Sequence, residues 1–148
     1  MESSFESTAE PGSDTAGHLH RVLIVEDHPD NRKLLMDYFE GEFELRDAGD
    51  GTEGLRIIRE WRPDAVLLDI SLPGLDGFEV ARQVQEDPAT CHIPVIAMTA
   101  HAMEGDRGKI LRKGFAAYVA KPFRLEVLRQ TLHSVLEAAV SHGKGNRT

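Results

Sequence analysis

The chain has 148 residues, 41% of them hydrophobic and 28% charged, with a formal net charge of −8. That balance suits one globular domain with a real core, and the acid excess argues against a nucleic-acid binder, whose surface must be basic. No apolar run is long enough to cross a bilayer, the N-terminus lacks the basic and apolar regions of a signal peptide, and the single Cys91 excludes an intrachain disulfide, so a reducing, cytoplasmic location is expected.

Residues 1–20 are rich in Ser, Thr, Gly and acids and contain no Lys or Arg. They read as a disordered tail. Val22-Leu23-Ile24-Val25 is a strand that ends in Glu26-Asp27. His28-Pro29 opens a helix, because Pro fits the first turn. Leu34, Leu35, Tyr38 and Phe39 recur along it at helical spacing, and Gly41 stops it. Glu44 to Ala48 is a polar strand suited to a sheet edge. Thr52 to Trp61 is a helix ended by Arg62-Pro63.

Ala65 to Leu68 is an apolar run that delivers Asp69 and then breaks at Pro73, Gly74 and Gly77. A run this short, ended by Pro and Gly, reads as a buried strand. Gly77 to Glu86 is a helix with Phe78, Ala81 and Val84 inward. Ile93 to Met98 is a strand leading to Thr99. Glu104 to Lys113 is a weak helix, since Gly105 and Gly108 each cost about 1 kcal/mol against Ala. Ala116 to Ala120 is a strand with Lys121-Pro122 at its end, and Arg124 to Ser141 is an amphipathic helix built on Leu125, Leu128, Leu132, Val135, Leu136 and Ala139. The ordered domain therefore spans residues 21–141, and 142–148 form a C-terminal tail.

Five strand–helix units in alternation imply an α/β fold with a parallel sheet covered on both faces. Alternation also puts the strand ends on one edge, where open α/β sheets build their sites. Glu26, Asp27, Asp69, Thr99 and Lys121 gather there. Any one of them read alone is as well explained as a turn cap or a surface charge; their coincidence at four strand ends is not. Three carboxylates at close range need compensation. A Mg²⁺ ion and the Lys121 ammonium together balance them, and the set is poised to receive a phosphoryl group on one carboxylate. Asp69, on the middle strand, is the best nucleophile.

At these residues the chain resembles the receiver domain of a two-component response regulator. The resemblance rests on V-E-D-H, L-L-D-I-S-L-P-G-L-D-G, A-M-T-A and Y-V-A-K-P, and covers about Arg21 to Ala139. It implies a flavodoxin-like (βα)5 three-layer sandwich with strand order 2-1-3-4-5. It implies that Asp69 accepts phosphate from a phosphohistidine. It further implies that Glu26, Asp27, Asp69 and the Ser71 backbone carbonyl bear on Mg²⁺, with Glu26 acting mainly through water. Thr99 and Lys121 would contact the phosphoryl group, and Thr99 with Tyr118 would form the switch. The expected partners are a histidine kinase or histidine phosphotransfer protein and a downstream protein on the face formed by Glu104 to Ser141, with no nucleic acid or membrane and a monomer or weak dimer. Ser71 and His101 are expected to tune the phosphoryl lifetime.

The stretches E-D-H-P-D-N-R-K-L-L and T-A-H-A-M-E-G-D-R resemble receivers of hybrid kinases and free-standing regulators more than those attached to DNA-binding outputs. With no room for an output domain after Ser141, a single-domain signalling protein rather than an enzyme is expected. A receiver belonging to a larger kinase is the runner-up. An aspartyl-nucleophile phosphatase would want a second acid where Ser71 stands. A flavin carrier would want a phosphate loop where Glu26-Asp27-His28-Pro29 stands. A degenerate receiver would lack the Asp69, Thr99 and Lys121 set that is present.

Overall fold

The structure, a computed structural model, describes residues 19–70, 76–100, 104–122 and 124–147, with side chains for all of these except 104–107 and 140–147. Strands and helices alternate as β1 (Arg21–Val25), α1 (Pro29–Phe39), β2 (Glu44–Ala48), α2 (Gly51–Trp61), β3 (Ala65–Asp69), α3 (Gly77–Glu86), β4 (Val95–Thr99), α4 (Glu104–Arg112), β5 (Ala117–Ala120) and α5 (Leu125–Arg147). The strands form one sheet in the order β2-β1-β3-β4-β5, and every neighbouring pair is parallel. This is the flavodoxin-like order, with β3 in the centre.

Side-chain alternation divides the core into two layers. Leu23, Val25, Val66, Leu68, Val95 and Ala97 pack against residues of α2, α3 and α4. Val22, Ile24, Leu67, Ile96, Met98 and Val119 pack against α1 and α5. All five residues of β3 and of β4 are buried, as a doubly covered parallel sheet requires. Each large apolar side chain so buried contributes about 1.5–3 kcal/mol. The polar β2 lies at the edge, as its composition predicts.

Local chemistry sets the helix ends. Pro29 occupies the first turn of α1. Asp50 caps α2 by accepting from Glu53 N–H at 2.8 Å, and Asp76 caps α3 by accepting from Glu79 N–H at 2.9 Å. Gly41, the expected stop after α1, and Gly114, which follows α4, take positive φ values of 86° and 95°, where glycine avoids the Cβ clash of other residues.

Three details differ from the sequence reading. Leu34 and Tyr38 do not share the buried side of α1 with Leu35 and Phe39: they are 46% and 37% exposed, whereas Leu35 and Phe39 are fully buried. A one-residue step turns the side chain by about 100°, enough on this helix to carry Leu34 and Tyr38 to the outer side of the stripe that Leu35 and Phe39 form. β4 begins at Val95 and β5 at Ala117, each inside the apolar run that suggested it. α5 continues to Arg147 rather than stopping at Ser141. Glycines at 143 and 145 lower helix propensity without forbidding helix.

Candidate functional site

Since the sheet is parallel throughout, β1, β3, β4 and β5 all end on one edge. Glu26 and Asp27 follow the last residue of β1, and Asp69 closes β3. Thr99 closes β4 in register with Ala120, directly before Lys121. Glu26, Asp69 and Thr99 are almost wholly buried, at 0%, 2% and 1% exposure, and Asp27 is exposed. One carboxylate oxygen from each of Glu26, Asp27 and Asp69 lies within 4.8 Å of the other two.

Lys121 joins the cluster across the sheet. Its Nζ donates to Asp69 Oδ2 at 2.8 Å and lies 3.1 Å from Glu26 Oε1. Burial pulls this ammonium down, the hydrogen bond and charge of Asp69 and those of Glu26 push it up, and the net displacement is upward. The Lys121 N–H donates to the Thr99 carbonyl at 2.8 Å, and the Lys121–Pro122 peptide bond is cis.

Glu26 is gripped at nearly every polar atom. Its N–H donates to the Ala48 carbonyl at 3.0 Å, and its own carbonyl accepts from Arg32 Nη1 at 2.8 Å. Its Oε2 accepts from His28 N–H at 3.1 Å. The exception is Oε1, which is buried without a well-formed hydrogen bond. The Lys121 ammonium, 3.1 Å away, shares its charge between this oxygen and Asp69. A buried carboxylate oxygen left this way is costly. With two more carboxylates alongside, the donor set fits a hard divalent cation.

The structure thus brings Glu26, Asp27, Asp69, Thr99 and Lys121 to one edge. Tyr118 lies on β5 two residues before the end of the strand, half-buried, and packs against the core layer that contains α4. Ser71 and His101, and the bulk of the N-terminal tail, lie outside the described residues. Arg32 is the residue that sequence reasoning passes over. Its position six residues after Glu26 puts a cation within the second turn of the helix that the acids introduce. The double role of Lys121, bonded to Asp69 and ion-paired with Glu26, is likewise more than a strand-end position reveals.

Residues 22–133 match the family model described as the response regulator receiver domain. The chain belongs to this family. Receivers similar to it include the polar-differentiation response regulator DivK of Brucella anthropi, 42% identical over 116 residues that make up 78% of this chain and 94% of that protein. The DivK of Brucella ovis is 41% identical over the same extent. Among solved structures, the receiver domain of the sensor histidine kinase PA1611 of Pseudomonas aeruginosa is 32% identical with a TM-score of 0.73, covering 80% of this chain and 98% of that one. The chemotaxis response regulator CheY4 of Vibrio cholerae is 26% identical with a TM-score of 0.74, covering 78% and 98%. The PA1611 receiver carries a magnesium ion coordinated in its active-site cleft. The receiver described here is accordingly a signalling domain of a two-component system, and no helix among its described residues is long and apolar enough to cross a membrane.

Proposed function

We propose that this receiver accepts a phosphoryl group on Asp69 from a phosphohistidine and then presents an altered face to a downstream protein. One observation carries the reading: Asp69 is a buried carboxylate at the end of the central strand, bonded to Lys121 at 2.8 Å and beside the oxygens of Glu26 and Asp27. An Asp69 oxygen attacks phosphorus while the phosphorus–nitrogen bond of the donor breaks, and the electron pair of that bond remains on the donor histidine. Lys121 then neutralises a phosphoryl oxygen, and Thr99, at the end of the adjacent strand, donates to another. Glu26, Asp27 and Asp69 would hold Mg²⁺, with the Ser71 carbonyl as a further candidate ligand. When bound, the ion supplies positive charge for the phosphoryl oxygens.

Incubation with Mg²⁺ and a small phosphodonor should add one phosphoryl group to the wild type, read by intact mass, and none to Asp69→Asn. A gain of the same size in the variant would overturn the assignment of Asp69. EDTA should abolish the gain in the wild type.

The donor side is supported by α1. Leu34, nearly half exposed, lines with Asn31, Ala100, Lys121 and Pro122 a shallow cavity of about 440 Å³ that opens beside the acidic cluster. An apolar side chain there suits a helical histidine donor. Leu34→Glu should slow phosphotransfer from a phosphohistidine protein about tenfold or more, the scale of a well-buried contact residue, and leave the rate with a small phosphodonor unchanged. Equal slowing with both donors would place the defect in the site and not in docking. The downstream side is supported by a groove of about 770 Å³ along α5, lined among others by Val127, Thr131, Ser134 and Ala117.

A further inference from the structure

The acidic cluster has one cation inside it, Lys121, and a second behind it. Arg32 leaves the second turn of α1 with its side chain one-quarter exposed. Its Nε lies 3.0 Å from Asp47 Oδ2 on β2, and its Nη1 donates to the Glu26 carbonyl at 2.8 Å. A single guanidinium therefore ties together α1, β2 and the end of β1. The fork geometry of Arg allows this, and Lys cannot reproduce it.

The carbonyl that Arg32 holds belongs to the peptide unit linking Glu26 to Asp27. A peptide unit is planar and rigid, so gripping its oxygen fixes the direction in which the chain enters Asp27. Glu26 is anchored independently, through its N–H to Ala48 and its Oε2 to His28 N–H. Asp27 follows it on the exposed side, two residues beyond the last paired residue of β1. The charge of Arg32 is already matched by Asp47, so its influence on the cluster is mainly geometric. Gly49 leaves room for the arrangement: a Cβ there would fall 3.1 Å from Arg32 Nη1.

We infer that Arg32 is a positioning residue that aims Asp27 at the divalent cation by holding the Glu26–Asp27 peptide plane. The inference rests on the metal reading given above. Outer groups that orient metal ligands are typically worth about 10- to 100-fold in metal affinity.

The test is titration of the purified chain with Mg²⁺ alone, followed by amide chemical shifts or calorimetry, with melting of the metal-free protein measured in parallel. Arg32→Met should weaken Mg²⁺ binding about tenfold or more, Arg32→Lys should recover part of the loss, and Gly49→Ala should weaken it by a smaller factor. The sign is decisive, because removing a cation near three carboxylates tightens metal binding when charge alone matters. Mg²⁺ bound equally or more tightly by Arg32→Met would overturn the inference. Gly49→Ala keeps every charge and decides the matter if Arg32→Met does not fold: unchanged affinity there also overturns it. A wild type that binds no Mg²⁺ would instead bring down the metal reading of the site, and this inference with it.

Discussion

Lys121→Met is expected to melt at a lower temperature than the wild type in EDTA, and to bind Mg²⁺ more tightly. In the wild type the ammonium is 20% exposed and lies 2.8 Å from Asp69 and 3.1 Å from Glu26. Without it two buried carboxylates face each other with no cation between them. Removing one partner of a buried ion pair costs about 3–5 kcal/mol, a large share of the stability of a domain this size. Mg²⁺ should restore most of the loss, because the same oxygens no longer share their charge with an ammonium. Alkaline pH gives a further signature. The Lys121 ammonium is held above the ordinary lysine value of 10.5. Its contribution to stability is therefore complete below that value and disappears as pH rises through the higher folded-state value. The wild type should lose stability in that range, and the part of the loss due to Lys121 should be missing in the variant. Melts in EDTA and in Mg²⁺ across pH, with a Mg²⁺ titration near neutrality, measure all three. An unchanged melting temperature in EDTA, or weaker Mg²⁺ binding, would show that the ammonium does not compensate the carboxylates. The two cations thus have opposite expected signs: losing Lys121, inside the cluster, tightens the metal, and losing Arg32, behind the ligands, loosens it.

The contrast also marks what the sequence made legible. The end of β3 was readable because a short apolar run and a Pro/Gly break carry their meaning locally, whereas Asp69 by itself was as well explained as a turn cap. Alternation of strands and helices then sufficed to bring Glu26, Asp27, Thr99 and Lys121 to the same edge. Which strands are neighbours did not follow from alternation, since the same ten elements can be wound in several orders; the order 2-1-3-4-5 came from the resemblance, and the structure bears it out. Arg32 was hidden for a physical reason. One of its partners is a carboxylate on β2, and the other is a backbone oxygen, which no residue type announces. The outward position of Leu34 was not legible, because an apolar pair on a helix does not say which member faces the core. Its exposure is what supports the proposed contact with a donor.

The other large effect is expected at Thr99. Phosphorylation of Asp69, as proposed, would change its carboxylate from −1 to about −2 near neutral pH and add acceptor oxygens. Thr99 closes the adjacent strand, is only 1% exposed, and its carbonyl already holds the Lys121 N–H. Its hydroxyl is thus carried on a backbone tied to Lys121, the residue proposed to meet the phosphoryl group. A hydrogen bond to a charged acceptor is worth about 1.5–3 kcal/mol, enough to move a two-state equilibrium about 10- to 100-fold. The element best placed to respond is α4, which follows β4 and contains glycines at 105 and 108, residues that weaken a helix. Tyr118 is half-buried against the same core layer and pairs in register with Ala97, two residues before Thr99. It can turn inward if the end of β4 draws toward Asp69. Thr99→Ala should therefore still gain a phosphoryl group on Asp69, more slowly, and lose the phosphorylation-dependent amide shifts along α4 and at Tyr118. Tyr118→Ala should keep the shifts at Thr99 and lose those that depend on the ring. Full shifts along α4 in phosphorylated Thr99→Ala would mean that the signal leaves the site by another route, through Lys121 and the start of α5.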